Sequence, residues 1–274
     1  MGRDKLDIAR YTVAPGSDKV DLATWDPDDD GGLEKGKHAD KLLARDIERL
    51  FGLQENLYAE GKRALLVVFQ AMDTGGKDGT IKHVFSGVNP TGCRVTSFKA
   101  PSEEELAHDF LWRIQKAVPR YGEIGIFNRS HYEDVLIVRV RELVPRSVWR
   151  GRYQRINHFE KDLVDSGIQV LKFFLHISKE EQKERLEARL ADPTKRWKFD
   201  VGDLAERKRW GDYQKAYAEA LARCSTEWAP WIVVPANRKW YRNLVVARAI
   251  VEKLEAMKPK PRQPSEDLSS VKVV

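Results

Sequence analysis

The sequence predicts an α/β protein, a parallel sheet flanked by helices on both faces. Three observations carry this reading. Five strand candidates are separated by helical stretches. The first run is continuously apolar rather than alternating, as in a strand buried on both faces. Helix-start signals fall between the runs.

The elements follow in order. Residues 1–39 are polar and turn-rich, with Asp26-Pro27-Asp28-Asp29-Asp30-Gly31-Gly32 in a row, and are expected to form a solvated N-terminal arm. An EF-hand is excluded, because alternating oxygen ligands and a distal Glu are missing. From about Asp40 to Glu60, Leu43, Ile47, Leu50 and Phe51 fall on one helical face. Ala64–Phe69 is the first strand; Arg94–Phe98, Ile124–Phe127, Val170–Ile177 and Trp231–Val234 are the others. Ser102/Glu105, Ser130/Glu133 and Ser178/Glu181 have capping-box spacing. Residues 40–257 thus read as one domain with no internal repeat. Residues 258–274, with Pro259, Pro261 and Pro264 among polar residues, read as a flexible tail.

Composition narrows the function. Of 274 residues 42% are hydrophobic, which supplies a core and excludes wholesale disorder. Charged residues make up 33%, with 48 Lys and Arg against 42 Asp and Glu. The resulting charge of +6, mixed in sign, suits an anionic ligand better than bulk nucleic-acid coating. Two cysteines, Cys93 and Cys224, make no disulfide framework and fit a reducing compartment. The first residues lack an apolar signal core, and no run approaches the roughly 18 residues of a membrane span. A cytoplasmic protein with no nucleic-acid or membrane partner is expected.

The chemistry begins where the first strand ends. Gln70-Ala71-Met72-Asp73-Thr74-Gly75-Gly76-Lys77-Asp78-Gly79-Thr80 leads into a helical segment from Ile81. A strand, a Gly-rich turn, a Lys and a helix start together form a phosphate cradle: backbone N–H groups turn inward and Lys77 adds a point charge. The pattern G-x-x-x-x-G-K-[ST] fails at two positions, with Ala71 for the first Gly and Asp78 for Ser/Thr. Asp73 and Asp78 bracket the loop. Carboxylates repel a phosphate unless a cation lies between them, so Mg²⁺ or Mn²⁺ is expected. At a second strand end, Asn128-Arg129-Ser130-His131-Tyr132-Glu133-Asp134 places Arg129 to clamp a transferring phosphoryl group. Either Glu133 or Asp134 can serve the metal from there.

Two basic stretches follow. Arg139, Arg141, Arg146, Arg150, Arg152 and Arg155 stand against one acid, Glu142, and suit either a solvated helix face or a polyanion track. Residues 189–209, with Lys195-Arg196-Trp197-Lys198 at their centre, suit a lid closing over phosphates, with Trp197 packing it down. No zinc spacing or Ser-His-Asp arrangement is identifiable.

Phe69–Thr80 followed by Gly87-Val88-Asn89-Pro90, Ile126–Val135, Lys195–Lys198 with Gly202-Asp203, and Asn237–Tyr241 together resemble the polyphosphate kinase 2 family, in the right order over most of residues 40–255. The length is most similar to the subgroup that acts on both nucleoside mono- and diphosphates. The resemblance implies a phosphate-loop kinase fold similar to thymidylate kinases, with a helical lid. It implies phosphoryl transfer between inorganic polyphosphate and AMP or ADP, with GMP and GDP as further acceptors, a divalent metal, and a homodimer or homotetramer. Carried over residue by residue, Asp73 and Asp134 hold metal or position the accepting phosphate. Lys77 and the backbone of Thr74, Gly75, Gly76, Asp78, Gly79 and Thr80 bind phosphates. Arg129 neutralises transition-state charge, and Arg189, Lys195, Arg196 and Lys198 close over the substrates. Two rivals stand beside this reading: an ATP-dependent nucleoside monophosphate kinase on the same fold, and a non-catalytic polyanion binder.

Overall fold

The structure, a computed structural model, describes residues 6–263. Its centre is strand β1 (Ala64–Ala71), buried at every position. Around it stand β2 (Cys93–Ser97), β3 (Ile124–Asn128), β4 (Ile168–His176) and β5 (Trp231–Pro235) in the order β2-β3-β1-β4-β5. All four pairings are parallel. A strand flanked on both sides and covered on both faces reads as a near-continuous apolar run, which is why β1 does not alternate and carries one polar residue, Gln70, bonded to Ser130.

Parallel neighbours need crossover connections, and the helices supply them. Helices α1 (Lys37–Glu60), α2 (Lys77–Val84) and α10 (Lys239–Met257) form one layer. Helices α6 (Arg146–Asp165) and α9 (Trp210–Cys224) pack on each other and on the turn His131–Val135. Short helices α3 (Glu103–Leu106) and α4 (Trp112–Gln115) precede β3, and α5 (Ile137–Val140) follows it. Helix α7 (Lys179–Ala191) leads through the turn Arg196–Lys198 into α8 (Gly202–Lys208). Ser102 and Glu105 form the expected reciprocal cap of α3. At α7 only half of the box forms: Ser178 accepts from the Glu181 N–H, while the Glu181 carboxylate accepts from Arg185. Among the described residues, no helix is long and apolar enough to cross a membrane.

Three sequence expectations change. Residues 6–35 are not a solvated arm. Leu6, Ile8, Tyr11, Val13, Val20 and Leu22 are buried in the core, and the Val13 N–H donates to the Trp231 carbonyl at 2.8 Å. The acidic turn is anchored by the start of α10: Arg238 donates to Asp30 at 2.5 Å and Asn237 to Asp28 at 2.9 Å. These apolar residues are spaced too irregularly to show a period. In α1 the buried stripe runs through Leu42, Asp46, Leu50 and Leu57, while Phe51 is exposed. Asp46 is buried because Arg248 of α10 donates to both of its oxygens, a polar anchor that apolar counting misses. The start of the tail also turns back on the body: Pro259 is buried and the Arg262 N–H donates to the Ala59 carbonyl. The rest of the expected tail, from Pro264, lies outside the described residues.

Candidate active site

The carboxyl ends of β1 and β3 are neighbours, and both chain segments leave them in unusual conformations. Thr74 has φ 62° and Arg129 φ 61°, a left-handed region that costs a non-glycine residue about 1–2 kcal/mol. Strain held at two adjoining strand ends is a mark of a functional site. The Arg129 N–H donates to the Phe69 carbonyl at 3.1 Å, so the β3–β1 ladder sets the arginine in place.

In the loop after β1, the carbonyls are tied away from its mouth. The Ala71 carbonyl accepts from Tyr217 Oη at 3.0 Å and from Lys77 Nζ at 3.2 Å. The Asp73 carbonyl accepts from Gln182 and the Thr74 carbonyl from Arg185, both at 3.0 Å. The first-turn N–H groups of α2 have no intrahelical partner. A loop whose carbonyls are occupied, running into helix N–H groups that have no intrahelical partner, presents positive potential to an anion. Gly76, at φ 97°, holds a conformation that L side chains rarely adopt, and an added Cβ would also force the Arg242 guanidinium to shift.

The charged groups at the mouth act on one another. Arg129 donates to Asp73 Oδ1 at 3.0 Å. Burial lowers the pKa of Lys77, helped by Arg129 and opposed by Asp73, Glu133 and Asp78. Burial works against the Arg129 cation, but Glu133 and Asp73 outweigh it and raise its pKa. Burial also raises the pKa of Glu133, against the pull of Arg129 and Lys77. Asp78 is exposed and accepts from Asn128 at 2.7 Å. Asp73, Lys77, Arg129 and Glu133 therefore share one site.

Asp134 does not join them. It pairs with Arg152 at 2.9 Å, and the same guanidinium atom binds its carbonyl at 3.0 Å. Burial pushes its pKa up to about 6, against the pull of Arg152 and Arg113. Of the two acids next to each other in sequence, the short turn His131–Val135 sends Glu133 to the loop and Asp134 to α6. Ser130 caps this turn from the Tyr132 N–H, and its hydroxyl accepts from Gln70. His131 lies wholly buried against Glu160, at 3.1 Å.

The lid carries its cations differently. Lys195 pairs with Asp192 at 2.5 Å, Arg196 donates to the Leu190 carbonyl at 2.8 Å, and Arg189 sits 3.8 Å from Asp203. Trp197 is 77% exposed, so it does not pack the lid down. That work falls to α8 and its ends: Glu206 accepts from Arg141 at 2.5 Å, Arg207 donates to the Lys179 carbonyl at 2.6 Å, and Arg209 to the Val140 carbonyl at 3.0 Å. The arginine-rich stretch is not a bare track either. Arg139 pairs with Glu219, Arg141 with Glu206, Arg152 with Asp134 and Arg155 with Asp109.

Sequence reasoning missed Gln182, Arg185, Tyr217 and Arg242. They come from α7, α9 and α10, more than a hundred residues from the loop they hold. Arg242 alone carries a local signal, a charge at the start of the apolar stretch of α10; Gln182 and Arg185 lie in the highly charged α7 and do not stand out.

Comparison with known proteins agrees with this geometry. The family model "Polyphosphate kinase 2 (PPK2)" matches residues 33–262. An AMP/ADP-polyphosphate phosphotransferase of Meiothermus ruber is 55% identical, the match covering 95% of this chain and 99% of that protein. An ADP-polyphosphate phosphotransferase of Rhodopseudomonas palustris is 46% identical over 93% of this chain and 92% of its own. The crystal structure of polyphosphate kinase 2 from Arthrobacter aurescens TC1 superposes with a TM-score of 0.92 at 44% identity, covering 97% of this chain and 95% of that one. With its parallel sheet, its phosphate loop and these matches, the chain belongs to the polyphosphate kinase 2 family.

Proposed function

We propose that this chain, a phosphotransferase of its family, moves the terminal phosphoryl group of inorganic polyphosphate reversibly to AMP and ADP. One observation supports this most: a loop with occupied carbonyls at the start of α2, flanked by Lys77 and by the Arg129–Asp73 pair. Phosphoryl transfer has a loose transition state, so the protein's task is to position groups and offset charge. Lys77 and the loop hold the phosphates. Arg129 offsets the charge that develops on the equatorial oxygens. An attacking phosphate oxygen is already ionised near neutral pH, so no strong base is required of Glu133.

Mg²⁺ or Mn²⁺ fits the donor set, with Asp73 as its protein ligand. Among the described residues, no three His, Cys, Asp or Glu side chains gather into a metal cage. Mg²⁺ does not need one, since it is held by one or two carboxylates together with phosphate oxygens and water. When bound, the ion supplies charge neutralisation between phosphate oxygens. The surroundings of Asp134 favour a structural role for it, through Arg152, and Glu133 is the acid beside Asp73.

The test uses purified protein, Mg²⁺ and long-chain polyphosphate, with AMP in one tube and ADP in another and no ATP. ADP and then ATP formed from AMP is the expected result. Product from ADP alone would limit the acceptor to diphosphates. No product in either tube, with ADP formed once ATP joins AMP, would replace this reading with an ATP-dependent monophosphate kinase.

A further inference from the structure

Glu160 of α6 and Lys172 of β4 are wholly buried behind the strand end that carries Arg129. They pair at 2.6 Å through Glu160 Oε2. The other carboxylate oxygen, Oε1, accepts from Tyr132 Oη at 2.8 Å and from His131 Nε2 at 3.1 Å. A carboxylate only accepts, so Nε2 carries the imidazole proton. The remaining Lys172 donors go to Tyr132 Oη at 2.8 Å and to the Cys224 carbonyl, at the end of α9, at 2.7 Å.

Stability alone does not account for this cluster. A complete buried ion pair is often no better than apolar residues of the same volume. Apolar packing is already at hand: the Tyr132 ring lies 4.7 Å from Trp231 and the His131 ring 5.5 Å from Phe159. What apolar packing does not supply is direction. Hydrogen bonds are directional, and here two rings from adjacent residues end on one oxygen.

Those two residues begin the turn His131–Val135, which follows Arg129 after one residue, Ser130. The turn is a 3-10 helix, a form with poorer hydrogen-bond geometry than an α-helix. Arg129 itself is held at φ 61°, and its guanidinium reaches Asp73 at 3.0 Å. A shift of the turn would carry the guanidinium with it, and a misplacement of about 1 Å that starts far from the chemistry can cost about 10²-fold in rate.

We propose that Glu160, held by Lys172, is a positioning residue for phosphoryl transfer: it fixes the rings of His131 and Tyr132, and through the turn they begin it aims the Arg129 guanidinium at the transferring group. The proposal rests on the role given to Arg129 in the proposed function. Enclosed as they are, Glu160 and Lys172 act only through the turn.

The experiment measures kcat, KM for polyphosphate, KM for ADP and the urea midpoint of unfolding. The proteins are wild type, Tyr132→Phe, Arg129→Ala, the pair replacement Glu160→Leu with Lys172→Met, and that pair replacement combined with Arg129→Ala. The pair replacement should unfold near the wild-type midpoint, yet lose tenfold or more in kcat with both KM values within twofold. Tyr132→Phe, which keeps the ring and removes one hydroxyl, should lose about threefold in kcat. In the Arg129→Ala background the pair replacement should cost less than a further twofold, because no guanidinium is left to position. Wild-type kcat in the pair replacement, or losses that multiply in the combined variant, would overturn the proposal and leave the role of Arg129 standing. Wild-type turnover in Arg129→Ala would remove that role and the proposal with it. If the pair replacement does not fold, Tyr132→Phe decides: an unchanged kcat overturns the proposal, and a threefold loss at unchanged KM supports it.

Discussion

The phosphate loop and the lid carry the same kind of charge in opposite settings. Around the loop, Lys77, Gln182, Arg185 and Tyr217 are tied to loop carbonyls, and Arg242 packs beneath Gly76. On the lid, among the described residues, Lys195 and Arg196 are satisfied by residues within a few positions of themselves, Asp192 and Leu190. The loop is thus built before substrate arrives, and its groups need no reorganisation at the moment of transfer. The lid cations are positioned by local turns, and their function depends on closing over something anionic. Substitutions at the loop should therefore act on turnover, and substitutions on the lid on substrate affinity.

The largest expected effect is at Lys77. Lys77→Ala should lower kcat on the order of 10³-fold, the loss typical of a preorganised charge-stabilising group. Near-normal turnover in a steady-state assay would place the loop on the same footing as the lid. Next comes the support beneath the Arg129 turn. Lys172, wholly buried, donates to Glu160 at 2.6 Å, Tyr132 at 2.8 Å and the Cys224 carbonyl at 2.7 Å. Glu160→Gln strands this cation and should cost about 3–5 kcal/mol in urea unfolding. Glu160→Leu with Lys172→Met should recover most of it; a double variant as weak as the single would refute the account.

The two neighbouring acids sharpen the contrast further. Asp73→Asn should lower turnover about 10²-fold and raise the Mg²⁺ concentration needed for half-maximal rate, as expected for a lost metal or phosphate contact. Asp134→Asn should reduce stability by about 1–3 kcal/mol through its Arg152 pair and leave the Mg²⁺ titration in place. A Mg²⁺ shift in Asp134→Asn alone would reverse the assignment.

A smaller effect concerns pH. Burial lowers the His176 pKa to about 4, although backbone contacts with Trp25 and Leu22 favour its charged form. A folded pKa below the unfolded value of about 6.5 means that the unfolded chain binds the extra proton first. Stability is therefore full above about pH 6.5 and should fall by about 2–3 kcal/mol as pH drops toward 4. His176→Gln should flatten that part of the stability profile. The least expected change is on the lid, where Arg196→Glu should raise KM for polyphosphate about fivefold, a loss of about 1 kcal/mol, and spare the nucleotide. Equal losses for both substrates would argue against a lid that grips the donor.

The sheet was readable from the sequence because its signal is local. The buried strands are apolar runs bounded by turns, and Ala64–Phe69 falls within β1, while the edge strand β2 is polar and partly exposed. The loop was readable for the same reason, since Gly75, Gly76 and Lys77 are consecutive. What could not be read depends on contacts between distant residues. Asp73 is held by Gln182 and Arg129, and nothing in the string Glu133-Asp134 tells which acid faces the loop until the turn after Ser130 is built. Trp197 carries the same lesson: an aromatic residue in a basic hairpin is expected to pack inward, yet its ring is exposed, with the Lys198 ammonium over it.

The position of β1 has a consequence for how the protein is made. Its partners are β3, at Leu65 to Ile124, and β4, at Ala64 to Ile168. During synthesis the run Ala64–Ala71 emerges first and waits for both neighbours, the second about a hundred residues later. At roughly 5–20 residues per second, that delay leaves one edge of an apolar strand unpaired for about 5–20 seconds on the ribosome. The strand at the centre of the catalytic platform is thus the segment with most need of a chaperone during synthesis, and slowing translation between residues 71 and 168 should lower the soluble yield more than slowing it elsewhere.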